Sequence, residues 1–237
     1  MQDIRLHSFQ SLGTVDGPGV RAVLFLQGCP LRCVCCHNPD TWDTNGGEHI
    51  SVPELLHKIR RCRSYFGKNG GVTASGGEPL LQAQALTNLF KALKAEGIHT
   101  ALDTSGCILN DSVKELLSYT DLVLLDYKYT NDTDYHRYTG MDKSAVDEFL
   151  AFLQTQNKKT WLRHVYIPTL NDNDASLSQL CRVKEAHPCV ERIELLPFRK
   201  LCLEKYRTMG IPFALGNTPE PSPEEISSLK ERFPHLY

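Results

Sequence analysis

Short apolar runs alternate with amphipathic stretches along most of the chain. Residues 21–27, Arg-Ala-Val-Leu-Phe-Leu-Gln, are almost continuously apolar and rich in strand formers. Such a run predicts a strand buried on both faces, as in a parallel sheet. Residues 70–75, 98–104, 121–128, 159–166 and 191–197 read as further strands, and 121–128 carries the clearest buried pattern. Helical patterns fall between them. Ser51-Val-Pro-Glu54 has the form of a capping box with proline in the first turn, opening a helix that runs to about residue 65. Helices are expected over 81–96, 111–118 and 174–185, with one or two more in 131–157. Pro219 to Pro223 opens a last helix ending near Phe233. Residues 1–20 give no clear element and end in a loop, Gly13-Thr-Val-Asp-Gly-Pro-Gly19, in which Asp16 is the charged group. Strands alternating with helices imply βαβ units. Six such units predict an α/β fold, an incomplete (β/α)6 barrel of the TIM type with a parallel sheet and outer helices. The expected active site lies at the C-terminal ends of the strands. The whole chain, 1–237, is expected to be one domain, with no internal sequence repeat.

Immediately after the first predicted strand comes Cys29-Pro-Leu-Arg-Cys33-Val-Cys35-Cys36-His37-Asn38, which contains a C-x3-C-x2-C spacing at Cys29, Cys33 and Cys36. Three thiolates in one loop can hold three irons of a four-iron cluster and leave the fourth open to a ligand. A zinc site or a redox pair are the competing readings. Zinc usually takes a fourth ligand at matched spacing, and no second C-x2-C is present. The second strand runs into Gly76-Gly77-Glu78-Pro79, where glycine would let backbone approach an amino acid-like ligand and Glu78 could accept from its ammonium group. Asp103, Asp126, Lys128 and Arg163 sit at or near the C-terminal ends of predicted strands. Buried charges are costly unless paired or bound. Four of them on the side of the cysteine loop predict a polar cavity and favour ligand contact over structural pairing. Asp103 and Asp126 together could also hold a small cation.

Composition narrows the function class. The 237 residues carry a formal charge of −2 with no basic tract, which argues against nucleic-acid binding as the main function. The longest apolar run, 22–26, is too short to span a bilayer, and Met1-Gln-Asp-Ile-Arg lacks the apolar segment of a signal peptide. A cytosolic, membrane-free protein is expected. In a reducing compartment its nine cysteines suggest metal binding before disulfides. Cys62, Cys107, Cys181, Cys189 and Cys202 are scattered singly and read as small buried residues.

The motifs together resemble the radical SAM enzymes, and within them the pyruvate formate-lyase activating enzymes. The resemblance is carried by Cys29-x3-Cys33-x2-Cys36-His37-Asn38, the Gly13–Gly19 loop, Asp40-Thr-Trp-Asp43, Val72-Thr-Ala-Ser-Gly-Gly-Glu78, Leu102-Asp-Thr104, Asp121-Leu-Val-Leu-Leu-Asp-Tyr-Lys128 and Ile193-Glu-Leu-Leu-Pro197. It covers nearly the whole chain. It implies an oxidoreductase of the activating-enzyme type, in which Cys29, Cys33 and Cys36 hold a [4Fe-4S] cluster. S-adenosylmethionine (SAM) binds the fourth iron, and an electron from a flavodoxin-like donor cleaves it. The resulting 5′-deoxyadenosyl radical takes hydrogen from a glycine Cα of a glycyl-radical enzyme, most simply pyruvate formate-lyase. By the same resemblance Gly76, Gly77 and Glu78 bind the SAM amino group. Asp126 and Lys128 line its carboxylate and ribose side, Tyr127 falls among the cofactor-binding positions, and Asp103, Thr104 and Asp126 match a monovalent-cation site. Asp16 lies on the rim that meets the partner, and Cys35, His37, Arg163 and Arg199 fall among the cofactor-binding positions. Cys35 stands where the family carries an aromatic residue. Pro197-Phe-Arg-Lys-Leu-Cys202 replaces Pro-Tyr-His-x-Leu-Gly, so Arg199 takes the place of a histidine. Only Cys62 lies between Cys36 and Gly71, which leaves the ferredoxin-like insert of longer activases without ligands. A monomer is expected. The alternatives are an activase of another glycyl-radical enzyme, including anaerobic ribonucleotide reductase, and a non-catalytic metal-binding module.

Overall fold

A computed structural model describes residues 3–233, apart from the side chain of Lys230. Met1 and Gln2, part of the start read for a leader, lie outside the described residues. The chain divides into two compact units, Met1–Pro30 with Thr41–Leu124 and Leu31–Asp40 with Leu125–Tyr237.

The first unit holds β1 (Ile4–Gly13), β2 (Arg21–Leu26), β3 (Glu48–Ile50), β4 (Gly71–Gly76), β5 (His99–Thr104) and the start of β6 (Leu122–Asp126). They are hydrogen-bonded in the order β3-β1-β2-β4-β5-β6. β2, β4 and β5 run parallel, with Leu24 opposite Ala74 and Ala74 opposite Leu102. β1 is antiparallel to both β2 and β3. Helices α1 (Val52–Arg60), α2 (Ala83–Ala95) and α3 (Asp111–Ser118) supply Leu55, Ile59, Leu86, Leu89, Phe90, Leu93, Val113 and Leu116 to the core. The expected capping box opens α1: Glu54 N–H donates to Ser51 Oγ at 3.4 Å, and Ser51 N–H donates to Glu54 Oε2 at 3.1 Å. The helix ends at Arg60, short of the expected residue 65. A separate 3-10 turn, Arg63–Tyr65, follows it. Another 3-10 turn, Pro79–Gln82, precedes α2.

The second unit holds the end of β6, then β7 (Thr160–Tyr166) and β8 (Val190–Pro197), in that order, with β7 and β8 parallel. Around them are α4 (Asp132–Thr139), α5 (Lys143–Thr155), α6 (Asp174–Ala186), α7 (Leu203–Met209) and α8 (Pro223–Arg232). β1, β3 and α7 are absent from the sequence expectation. In β1 only Ile4, Leu6 and Gly13 are buried, so its alternation fades along the strand. Among the described residues no helix is long and apolar enough to cross a membrane.

Arg21 opens β2 fully buried, with a guanidinium that closes several main-chain gaps. Its Nε donates to Thr73 Oγ1 at 2.6 Å, Nη1 to Pro18 O at 3.0 Å and Nη2 to Val72 O at 2.7 Å. Burial lowers its pKa to about 10, while Asp16 and then Asp121 act to raise it. The group therefore stays charged at neutral pH. Replacing it leaves buried acceptors unsatisfied and the Asp16 carboxylate without this counter-charge. We expect Arg21→Met to lose about 3–5 kcal/mol of unfolding free energy, read from urea titration followed by circular dichroism.

Candidate iron–sulfur and cofactor site

The two glycines at the end of β4 answer first to the sheet. A Cβ on Gly76 would stand 2.3 Å from Leu26 N, and one on Gly77 2.2 Å from Gly28 O. Gly77 N–H donates to Leu26 O and Glu78 N–H to Gly28 O, each at 2.8 Å. The close approach expected for a ligand is an approach of backbone to backbone, which ties the β4 end to the stretch leading into Cys29. At Cys29 itself the N–H reaches Trp42 O at 3.4 Å.

Glu78 is also turned inward. Its carboxylate is 1 % exposed and accepts from Leu80 N at 3.1 Å, Thr104 Oγ1 at 2.5 Å, Ser105 N at 2.9 Å and Ser105 Oγ at 2.5 Å. These donors occupy both oxygens, so the side chain links the end of β4 to the end of β5 in place of receiving an ammonium group. Thr104 is thereby committed to Glu78, and Asp103 accepts from Ser75 Oγ at 2.6 Å. Ser75 and Ser105 were not singled out from the sequence; small hydroxyl residues at two neighbouring strand ends were the available signal. Cys107, read as a bland thiol, lies near the Glu78 carboxylate and the Cys29 thiol. Burial above all, then Glu78, pushes its pKa up to about 12. Asp16, expected on the partner-facing rim, is only 9 % exposed, and its charge helps to hold Arg21 protonated.

The second unit carries the rest of the cysteine loop and a partly buried cation, the Lys128 side chain at 18 % exposure. Lys128 Nζ donates to Asp126 Oδ2 at 2.6 Å. Burial opposes its charge, but Asp126 and the thiols of Cys33 and Cys35 outweigh it and hold its pKa well above the ordinary value. The same burial pushes the Cys33 thiol up to about 12 and Cys35 to about 11, with Lys128 pulling both down. Asp126 and Lys128 stand two residues apart on one side of the strand end. Tyr127 faces the other way. Its hydroxyl donates to Asp147 Oδ1 of α5 at 2.8 Å, which removes it from the cofactor side where it was expected.

Three further expected cofactor positions have protein contacts. Arg163 lies opposite Glu194 in the β7–β8 register, with Nε 3.3 Å from Glu194 Oε2, a cross-strand ion pair. His37 Nε2 donates to Arg199 O at 2.8 Å, a main-chain contact. The Arg199 guanidinium donates to Pro221 O at 3.0 Å and lies 3.5 Å from Glu220 Oε2, tying it to the segment ahead of α8. Asp103, Thr104 and Asp126, read as a cation site, each have the protein partner named above. Among the described residues no three His, Cys, Asp or Glu side chains could share one metal ion. A four-iron cluster sets no such requirement, because each thiolate binds a different iron. The donor chemistry fits that group: soft thiol donors with a partly buried lysine close to Cys33 and Cys35.

Two predictions follow the buried groups. Glu78→Gln sets an amide NH2 against hydroxyl and N–H donors and should cost about 2–3 kcal/mol in urea unfolding. His164, wholly buried, has Nδ1 2.7 Å from Tyr127 O and Nε2 3.1 Å from Asn171 Nδ2. The carbonyl can only accept and the amide nitrogen only donate, which fixes the neutral tautomer with its proton on Nδ1. Burial lowers its pKa from 6.5 to about 4. The unfolded chain therefore takes up this proton first, and stability falls as pH drops from about 6.5 towards 4. The full effect is about 3 kcal/mol. Urea midpoints measured across that range should decline less steeply in His164→Gln than in the parent.

The model of the 4Fe-4S single cluster domain family matches residues 15–146. The pyruvate formate-lyase-activating enzyme of Clostridium pasteurianum is 42% identical over 233 residues, 98% of either chain. The pyruvate formate-lyase 1-activating enzyme of Escherichia coli (strain K12) is 42% identical over 229 residues, covering 95% of this chain and 93% of the relative. A radical SAM methyltransferase from Sphaerobacter thermophilus superposes with a TM-score of 0.63 at 17% identity, covering 89% of this chain and 62% of that one. That likeness concerns the fold alone, and it bears out the predicted α/β class of partial barrel.

Proposed function

The chain belongs to the pyruvate formate-lyase-activating enzyme family, and from that premise we propose that it is a radical SAM activase which generates a glycyl radical on pyruvate formate-lyase. The observation that carries the reading is end-to-end identity with these enzymes together with the three-cysteine loop at Cys29, Cys33 and Cys36. We read residues 1–237 as a single radical SAM domain, supported by β6 contributing to both units and by the coverage of the relatives.

When bound, the [4Fe-4S] cluster supplies the electron that cleaves SAM and so initiates hydrogen removal from a glycine of the partner. The chain's own residues bind and orient. Cys29, Cys33 and Cys36 hold the cluster as thiolates, losing protons that burial otherwise keeps on Cys33. Lys128 offsets negative charge in two places: on the thiolates and, by the family's pattern, on the SAM carboxylate. Main-chain carbonyls of the Gly76–Gly77 turn receive the SAM ammonium, the role the Glu78 carboxylate is not free to take while bonded to Thr104 and Ser105. By the family's pattern Asp126 lines the carboxylate and ribose side, beside Lys128. A monovalent cation at Asp103 would have to compete with Ser75, and one at Asp126 with Lys128. A flavodoxin-like donor, a cytosolic location and a monomeric state complete the proposal.

The test is anaerobic reconstitution followed by SAM cleavage under dithionite and electron paramagnetic resonance of pyruvate formate-lyase. Cys29→Ala, Cys33→Ala and Cys36→Ala should each abolish SAM cleavage and the glycyl-radical signal, while Cys35→Ala retains both. A radical raised only on a different glycyl-radical enzyme would reassign the partner. One bound zinc per chain and no SAM cleavage would remove the enzymatic reading.

A further inference from the structure

Within the second unit the cysteine loop buries Leu31 and is otherwise shaped by polar contacts. Arg32 N, ahead of Cys33, donates to Thr139 O at 2.9 Å and Val34 N, just after it, to Tyr138 O at 3.0 Å, both at the C-terminal end of α4. Between the ligands, Cys36 N donates to Cys33 O at 3.0 Å. Downstream, the chain leaving Cys36 is fastened by a side chain the sequence reading passed over. Lys205 Nζ, on α7, donates to Asn38 Oδ1 at 2.9 Å and lies 3.0 Å from Asp40 Oδ1 and Oδ2. The His37–Arg199 contact described above adds a second tie to the segment just ahead of α7.

Helix α7 is short, so its ability to hold anything depends on its packing. Tyr206, the next residue after Lys205, is buried against Phe213 with ring centroids 4.8 Å apart, and Phe213 stacks on Phe198 at 6.2 Å. Burial raises the Tyr206 phenol pKa, and Cys36 and Cys202 raise it further, which sets α7 beside the cysteine loop. The base of the Lys205 side chain is thus anchored, while its ammonium group bridges two residues that follow Cys36 by two and four positions.

We propose that Lys205 is a positioning residue for the cluster, holding Asn38 and Asp40 so that Cys36 keeps its placement as a ligand. The proposal rests on the reading of Cys29, Cys33 and Cys36 as the cluster ligands. The ion pair is partly exposed, at 37 % and 29 % of the two side chains, so it adds little to global stability. Its effect is local. Outer contacts of this kind set how firmly a metal centre is retained, and losing one typically costs tenfold or more in metal retention.

The experiment follows iron release to a ferrous chelator from anaerobically reconstituted protein, with urea unfolding of the cluster-free chain alongside. Lys205→Met should release iron about tenfold faster than the parent. Lys205→Arg, which keeps the charge and the donors, should stay within about twofold, and the urea midpoints of both should match the parent. Release from Lys205→Met at the parent rate overturns the proposal. So does Lys205→Arg behaving like Lys205→Met, or a fall in urea midpoint that accounts for the faster release. If Lys205→Met does not accumulate folded, Asp40→Asn removes the other half of the pair; the same acceleration supports the proposal and an unchanged rate overturns it. A parent chain that takes up no iron overturns the ligand reading and this inference with it, whereas a parent that holds iron as firmly as its Lys205 variants overturns only the inference.

Discussion

A buried carboxylate must be satisfied, and around Glu78 that requirement orders the first unit. Its oxygens draw in Leu80 N, both donors of Ser105 and the Thr104 hydroxyl, so the turn after β4 and the turn after β5 are closed by one charged group. Leaving any of these donors or the carboxylate unpaired in the interior would cost far more than an ordinary surface contact gains. The glycines before it complete the same constraint. With Leu26 N and Gly28 O lying within 2.3 Å of where a Cβ would stand, the β4 end can lie against its neighbour only without side chains. The stretch entering Cys29 inherits its course from these two facts.

The second unit handles charge in the opposite sense. There the partly buried group is a cation, and its partners are a carboxylate and thiols. Lys128 remains protonated because Asp126 offsets its burial. Unligated, the thiols stay protonated at neutral pH, since burial outweighs the ammonium's pull. Thiolate is the form that binds metal, so a negative charge created on Cys33 would improve the environment of Lys128 further.

What could be read from sequence follows the strength of each physical signal. The buried strands were legible because both faces are apolar, and 111–118 was read with the boundaries of α3. β1 was not, because only Ile4, Leu6 and Gly13 are buried along it and the run from Ser8 to Leu12 carries no apolar alternation. The cysteine spacing was legible because ligand geometry is local. Three side chains have partners that only tertiary contacts set. Glu78, Arg163 and Arg199 looked available as ligand contacts until Thr104 with Ser105, Glu194, and Pro221 were seen beside them. Tyr127 lies just past the end of β6, and its hydroxyl reaches Asp147 of α5, a partner no local pattern announces. Lys205 offered no pattern at all, being one lysine in a short helix whose role depends on what it touches.

The substitution at Cys35 can be weighed by the same reasoning. An aromatic side chain at that position would offer a flat apolar face; a cysteine offers less area and a thiol. Cys35 shares the Lys128 and Asp126 environment of Cys33, and burial raises its pKa in the same way, so acidity does not distinguish ligand from bystander. Placement must distinguish them. Cys33 and Cys36 are joined by a main-chain hydrogen bond across the turn, and the segments on either side are tied to α4 and α7. Cys35 lies within that turn, one residue from Cys36, where simultaneous binding of both thiols to one cluster would strain the backbone between them.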